Sequence, residues 1–173
     1  MRRSTHGPHS VRRRRSAILG PVSQQNVEIV RRFLRAGVEE ALADADPEIV
    51  WNPVEELPTQ GHGAVRASLT RWKAEWNDYE LLPEDFLDIG DHVVVTVRVR
   101  GRGRGSGIEI DARCSDVFTL RSERIVRMDQ FAERAEALDF VRRSTAVSES
   151  STRERDGHGD HTAGTSRARD TRR

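Results

Sequence analysis

Asp116 stands in a row of alternating residues that is otherwise apolar: Ile108, Ile110, Ala112, Cys114, Asp116, Phe118, Leu120. A carboxyl buried in such a row loses the solvation of its charged form. Its pKa then rises, and the neutral acid can donate a hydrogen bond. The other readings are an Asp at a bulge or one paired with a guanidinium such as Arg98. His62 lies between Gly61 and Gly63, ahead of a helix. It is placed either as an acid/base group at a pocket mouth or as a solvated loop histidine. Glu55 and Glu56 could do paired acid/base work or stand as two solvated loop acids. Cys114 is the single cysteine, so no internal disulfide is possible, and a buried inert thiol is expected. Arg98 and Arg100 share a strand face with Val94 and Thr96. That face is either solvated, part of a dimer interface, or the place where Arg98 meets a ligand carboxylate.

These residues must be held by a recognisable series of elements. Ser23 is placed as the N-cap of a helix over 26–34, whose Val27, Val30, Phe33 and Leu34 share one face. A short helix over 38–43 precedes Pro47. A strand covers 49–52 and closes at Pro53. A helix over 64–76 carries Val65, Leu69, Trp72 and Trp76 on one face. The period then becomes two. Strands are expected over 81–89, interrupted at Pro83, then 92–100, 108–120 and 124–131, with a closing helix over 133–141. The glycines of 101–107 link two strands of a hairpin. Helices followed by hairpin-linked strands argue for an α+β fold, an antiparallel sheet with helices on one face.

The chain has 173 residues, enough for one domain of ordinary size. The first 22 residues hold six arginines and no acid, against a net charge of +1 for the whole chain, so 23–143 is acidic. Residues 1–22 and 144–173 offer little apolar surface to offset ordering entropy, and both are expected to be disordered, flanking a domain over 23–143. Behind Arg12-Arg13-Arg14-Arg15 the apolar run is too short for a secretory signal, and no stretch is long enough for a membrane span. A cytoplasmic location is expected. The basic arm lacks interleaved aromatics, so nucleic acid is not the expected partner. His158 and His161 lack further ordered ligands, and no GxGxxG follows a strand. No metal or other cofactor is expected.

Several strings resemble the nuclear transport factor 2-like superfamily, and most of all its SnoaL-like bacterial group. They are Gln25-Asn26-Val27-Glu28-Ile29-Val30-Arg31-Arg32-Phe33, Asp46-Pro47-Glu48-Ile49-Val50-Trp51-Asn52-Pro53, Asp88-Ile89-Gly90-Asp91-His92-Val93-Val94-Val95, the segment 102–107, and Arg134-Ala135-Glu136-Ala137-Leu138. The resemblance covers about 24–141. It implies a strongly bent sheet wrapped around helices into a cone with an internal pocket, and often a homodimer through the outer sheet face. Between Phe33 and Trp51 the chain is shorter than the family by roughly one helical turn of four or five residues. The fold hosts isomerases, dehydratases, cyclases and plain binding modules, so the site must decide the function.

Asp116 resembles the protonated oxyanion-hole Asp of ketosteroid isomerase. The general-base position of that enzyme matches Asn52, an amide that takes no proton, and its oxyanion Tyr matches Phe33. Steroid isomerase chemistry is therefore not expected. The acid/base Asp of SnoaL-type cyclases matches Gln130, with Asp129 one residue early and so on the other strand face unless a bulge intervenes. The resemblance implies a pocket of Phe33, Trp51, Asn52, Trp72, Trp76 and Arg98, with Phe118, Met128 and Gln130 on the last two strands. In a cone the core face is also the pocket wall. The expectation is a binder of an apolar small molecule. The alternatives are a cofactor-free isomerase, cyclase or dehydratase using Asp116, together with His62 or Asp129, and a dimeric interaction module with a vestigial pocket.

Overall fold

The structure is a computed structural model that describes residues 22–54 and 56–156. The arm up to residue 21, Glu55 and the tail beyond 156, with His158 and His161, lie outside the described residues.

The first helix, α1 (Val22–Arg35), buries Ile29, Val30 and Phe33 and half-buries Val27 and Leu34. That is the apolar stripe read from the spacing. The helix begins at Val22, one residue before the expected cap, and Arg32 and Arg35 in its last turn oppose its dipole. Helix α2 (Val38–Ala43) is one and a half turns long and buries Ala41 and Leu42. Strand β1 (Ala45–Asn52) starts earlier than expected and runs through Pro47. Its register slips between Ala45 and Val50, where Pro47 has no N–H to give to a ladder. After β2 (Thr59–Gln60) comes α3 (Gly61–Ala74), which places His62 inside its first turn.

The helix expected to reach Trp76 stops at Ala74, and Trp76 opens a long strand, β3 (Trp76–Ile89). Pro83 marks a register shift in β3, as its missing N–H requires. Gly90, at φ 65°, makes the tight turn into β4 (His92–Gly103). Half of the expected glycine link is thus strand, and β5 (Glu109–Arg121) and β6 (Arg124–Phe131) follow as hairpins. The strand order is β2-β1-β6-β5-β4-β3. The joins from β3 to β6 are antiparallel, but β1 runs parallel to β6, so the sheet is mixed rather than wholly antiparallel.

The α+β class and the bent sheet on N-terminal helices hold. The helices are not all on one face. Val93, Val95, Val97, Phe118, Ile125 and Met128 pack with α1, α2 and α3 in the main core. On the opposite face Val94 and Val117 pack against Ala137 and Val141 of α4 (Arg134–Asp156). Helix α4 also runs through 144–156, part of the stretch expected to be disordered. No Gly or Pro interrupts it before Gly157, and the hydroxyls of Ser144 and Thr145 donate to the carbonyls of Phe140 and Val141 at 3.0 and 2.9 Å.

Candidate functional site

Strand pairing decides which side chains meet. Asp116 pairs with Gln130 on β6 and with Val95 on β4, and Phe118 pairs with Met128. All face the helix side of the sheet, so Asp116 sits on the cone's inner wall. It is 3% exposed. Burial pushes its carboxyl up to about 7, and a hydrogen bond from Gln130 offsets part of that rise. Its Oδ1 is buried and has no hydrogen-bond partner among the described residues. Arg98 does not pair with it. Both Arg98 and Arg100 lie on the outer face, and Arg98 donates to Asp111 through Nε and Nη2 at 2.6 and 2.7 Å. Arg98 is therefore not a pocket residue: the inward set on β4 is Val93, Val95, Val97 and Val99.

Cys114, next along the inner row, has its thiol pushed up to about 12, chiefly by burial and then by the nearby Asp116. It is a thiol at neutral pH, as an inert buried cysteine should be. The Gln130 Nε2 lies 3.7 Å from its sulfur.

The sequence reading missed Tyr79, the chain's only tyrosine. Between Asn77 and Glu80 the β3 register slips, so Asp78 and Tyr79 together stand opposite Gly101, with Asp78 in the left-handed region at φ 52°. Such a bulge re-aims a side chain. It brings Tyr79 to Trp72, which hydrogen-bonds it, and within electrostatic reach of Asp116 and Cys114; burial raises its pKa. Trp72 and Trp76 are on different elements, yet their rings pack at 5.4 Å and 54°. Trp76 lies over Gly101, where a Cβ would stand 3.4 Å from the ring, in van der Waals contact with it. The Trp76 Nε1 is buried without a partner among the described residues, and so is Nε2 of His62. His62 shares an α3 face with Val65 and Leu69, both packed in the main core.

Phe33, Trp51, Phe118 and Met128 belong to the main core. Phe33 and Phe118 meet edge to face at 5.6 Å, and none of the four is more than 7% exposed. They are core rather than reactive surface.

Two expected site residues face the other way. Asn52 pairs in parallel with Asp129, and Asp129 pairs with Val117 on the α4 side. No bulge returns Asp129 to the inner wall, so it is not a pocket acid, and Asn52 is not a pocket amide. Instead Asn52 Nδ2 donates to Asp129 at 2.6 Å, and Arg127 donates through Nε and Nη2, each at 2.7 Å. His92, 3.0 Å from the Thr119 hydroxyl, lies nearby with its pKa lowered by burial against the raising influence of Asp91 and Asp129. Phe140 of α4 packs on His92 and Phe131. This second polar cluster pins β1, β6 and α4 together. In the loop after β1, Glu56 accepts from Arg71 Nη2 at 2.6 Å.

Among the described residues, no three His, Cys, Asp or Glu side chains gather as metal ligands. No helix among them is long and apolar enough to cross a membrane.

Asp116 thus shares the inner wall with Cys114 and Gln130, and Tyr79 lies within electrostatic reach of it. The SnoaL-like domain family matches residues 7–128, and the chain belongs to it. Its fold is shared by a protein of Jannaschia sp. CCS1 named as a SnoaL-like polyketide cyclase, 21% identical, with 71% of this chain and 95% of that one covered and a TM-score of 0.62. It is also shared by TerC co-crystallised with polyporic acid, at 18% identity, 66% and 96% coverage and a TM-score of 0.57. A third is a protein of Catenulispora acidiphila DSM 44928 with a ketosteroid isomerase-like fold, in complex with trimethylamine, at 13% identity, 62% and 86% coverage and a TM-score of 0.56. Among curated proteins, none matches the chain.

Proposed function

We propose that this SnoaL-like domain binds an apolar small molecule carrying a hydrogen-bonding oxygen, which meets Asp116. The observation that carries the reading is the Asp116 Oδ1, buried in an apolar wall with no partner. A buried polar atom left so is costly, and a ligand that supplies the missing partner recovers that cost. Among the described residues, Tyr79, Cys114 and Gln130 are the groups that act on Asp116 or that Asp116 acts on, and no guanidinium or ammonium is among them. A neutral or weakly acidic ligand therefore fits better than a strong anion.

The test is a thermal-shift screen of the full chain against apolar ketones, lactones, terpenoids and polyketide fragments. A ligand at a hundredfold excess over its Kd should add about 2.7 kcal/mol of stability. Absence of any hit, with the protein folded, would sink the reading.

One observation favours a second reading, acid–base catalysis. A carboxyl at about 7 is matched to proton transfer at neutral pH. With a ligand in hand, loss of turnover in Asp116→Asn with retained binding selects it.

We also propose a homodimer through the outer face of β3, β4 and β5. Leu82 and Leu87 are exposed on that side, at 39% and 37%, beside the Arg98–Asp111 and Arg113–Glu84 ion pairs. A two-fold contact there is self-complementary. Helix α4 covers only the Val94 and Val117 end. Light scattering that returns the monomer mass at micromolar protein would discard it.

A further inference from the structure

Gln130 of β6 stands directly opposite Asp116 of β5, on the same face of the sheet. Side chains so opposed are close enough to meet. The Gln130 amide has two N–H groups to place. Its Nε2 donates to the Cys114 sulfur at 3.7 Å and also to the Asp116 carboxyl. Oδ1 of Asp116 has no partner among the described residues, so Oδ2 is the oxygen that accepts from the amide. The two oxygens of this carboxyl are therefore unlike. An oxygen already accepting an N–H is the poorer seat for a proton, and the proton of the neutral acid falls to Oδ1. Asp116 as a whole is buried, so water does not even out the difference.

Cys114 sets the direction of the amide. Its sulfur is a thiol at neutral pH, with its pKa pushed up to about 12 by burial and by Asp116. A thiol is a weak acceptor, and it occupies one N–H without drawing the other away from the carboxyl. Few other groups act on Asp116. Strand β3 brings Tyr79 within electrostatic reach, and β4 brings Val95. Helices α1 and α2 contribute apolar side chains to this core, and α3 adds His62 on the face of Val65. The charged Arg127 and Asp129 of β6 lie on the opposite face. Among all these, Gln130 is the group that gives Asp116 a hydrogen bond.

We infer that Gln130 is the positioning residue of this site: held by Cys114, its amide fixes Asp116 through Oδ2, so that Oδ1 alone meets the ligand and turns from donor to acceptor as the carboxyl ionises. The inference rests on the reading that a ligand oxygen meets Asp116. It adds that the site reverses the polarity it selects. With the proton on Oδ1, the matching group is an oxygen that accepts, a ketone or ester carbonyl. With the proton released to bulk water, the matching group is a hydroxyl that donates. The changeover falls at about 7, where the carboxyl titrates.

The first test needs no ligand. In the full chain, isotope-labelled for NMR, the Gln130 side-chain amide resonances should move with pH around a midpoint of about 7. They should stay still in Asp116→Asn, which has nothing to titrate there. The Asp116 carboxyl resonance in Gln130→Met then gives the sign. The amide N–H favours the ionised form, so its removal should raise the midpoint by about one pH unit, the worth of one hydrogen bond to a charged group. An unchanged midpoint would overturn the inference. So would a lowered one, which means that the amide carbonyl and not its N–H faces the carboxyl. Wild-type amide resonances that ignore pH reject it equally, even if Gln130→Met does not fold. Selectivity is read by thermal shift with tetralone against tetralol and menthone against menthol, each pair sharing one skeleton. A carbonyl that binds only the protonated acid should bind about tenfold more weakly at pH 8 than at pH 6, and the alcohols should change the other way. Ketones and alcohols with the same pH dependence would count against it. A wider panel without any hit sinks the ligand reading and the selectivity with it, while the sign of the carboxyl shift still decides the role of Gln130.

Discussion

Asp116→Asn is expected to be more stable than the wild type above pH 7 and no more stable below about pH 4. The carboxyl titrates at 3.8 in the unfolded chain and about 7 in the fold, where burial disfavours its charge. Between those values the folded state binds the extra proton, so stability falls as pH rises through the window and is level beyond it. A shift of that size corresponds to about 4 kcal/mol, an order-of-magnitude figure at 1.36 kcal/mol per unit. The Asn amide is nearly isosteric and has no charge to bury. Urea melts at pH 4, 6 and 8 measure the difference. Curves for the two proteins that stay parallel across that range would show that Asp116 is solvated in the fold, and would remove the ground for a site there. The same burial gives the residue its functional interest. The protein gives up stability near neutral pH to hold a half-protonated carboxyl on an apolar wall, as functional sites commonly do.

Asp129→Ala is expected to cost about 3 kcal/mol, the lower end of the range for removing one partner of a buried ion pair. Its side chain is 7% exposed, while that of Arg127 is 43% exposed and recovers some solvation. The loss also strands the Asn52 amide. Asn52→Ala should cost less, about 1 kcal/mol, since it removes one neutral donor. Denaturation midpoints with unchanged m-values give both numbers. An Asp129→Ala protein within about 0.5 kcal/mol of wild type, the usual range for a surface change, would show that this cluster does not pin β1 to β6. The pair also gives a physical reason for the amide at 52: a carboxylate there would face that of Asp129 across 2.6 Å. The amide's N–H turns that contact into a hydrogen bond.

Much of the architecture was legible because hydrophobic periodicity is a local signal. The 3.6-residue stripe of α1 and the alternation of β4 and β5 needed only neighbouring residues. The isolation of Asp116 in its row was readable for the same reason, and so was the pairing of Arg98 with Arg100 on one face. Two misses share one cause. Trp76 fits a helical stripe as well as it fits a strand, and it is its pairing with Gly103 on β4, a residue distant in the chain, that places it in the strand. Tyr79 is brought to the inner wall by an extra residue in β3, which two-residue alternation cannot foresee. The fate of 144–156 was missed for another reason: low apolar content argued for disorder, yet nothing in the segment breaks a helix once α4 has been nucleated on Val94 and Val117.

By itself the sequence determined the class of fold, the order of its elements and the presence of one acid among apolar neighbours. Those follow from the chemistry of residues close in the chain. The tertiary structure alone decided which face each polar residue serves. It set Asp116 against Gln130 and beside Tyr79, and turned Asn52 and Asp129 to the α4 side. Facing depends on register and on the bulges that shift it. Register is a relation between strands distant in the chain, as from Asn52 to Asp129, 77 residues apart, and no local pattern carries it.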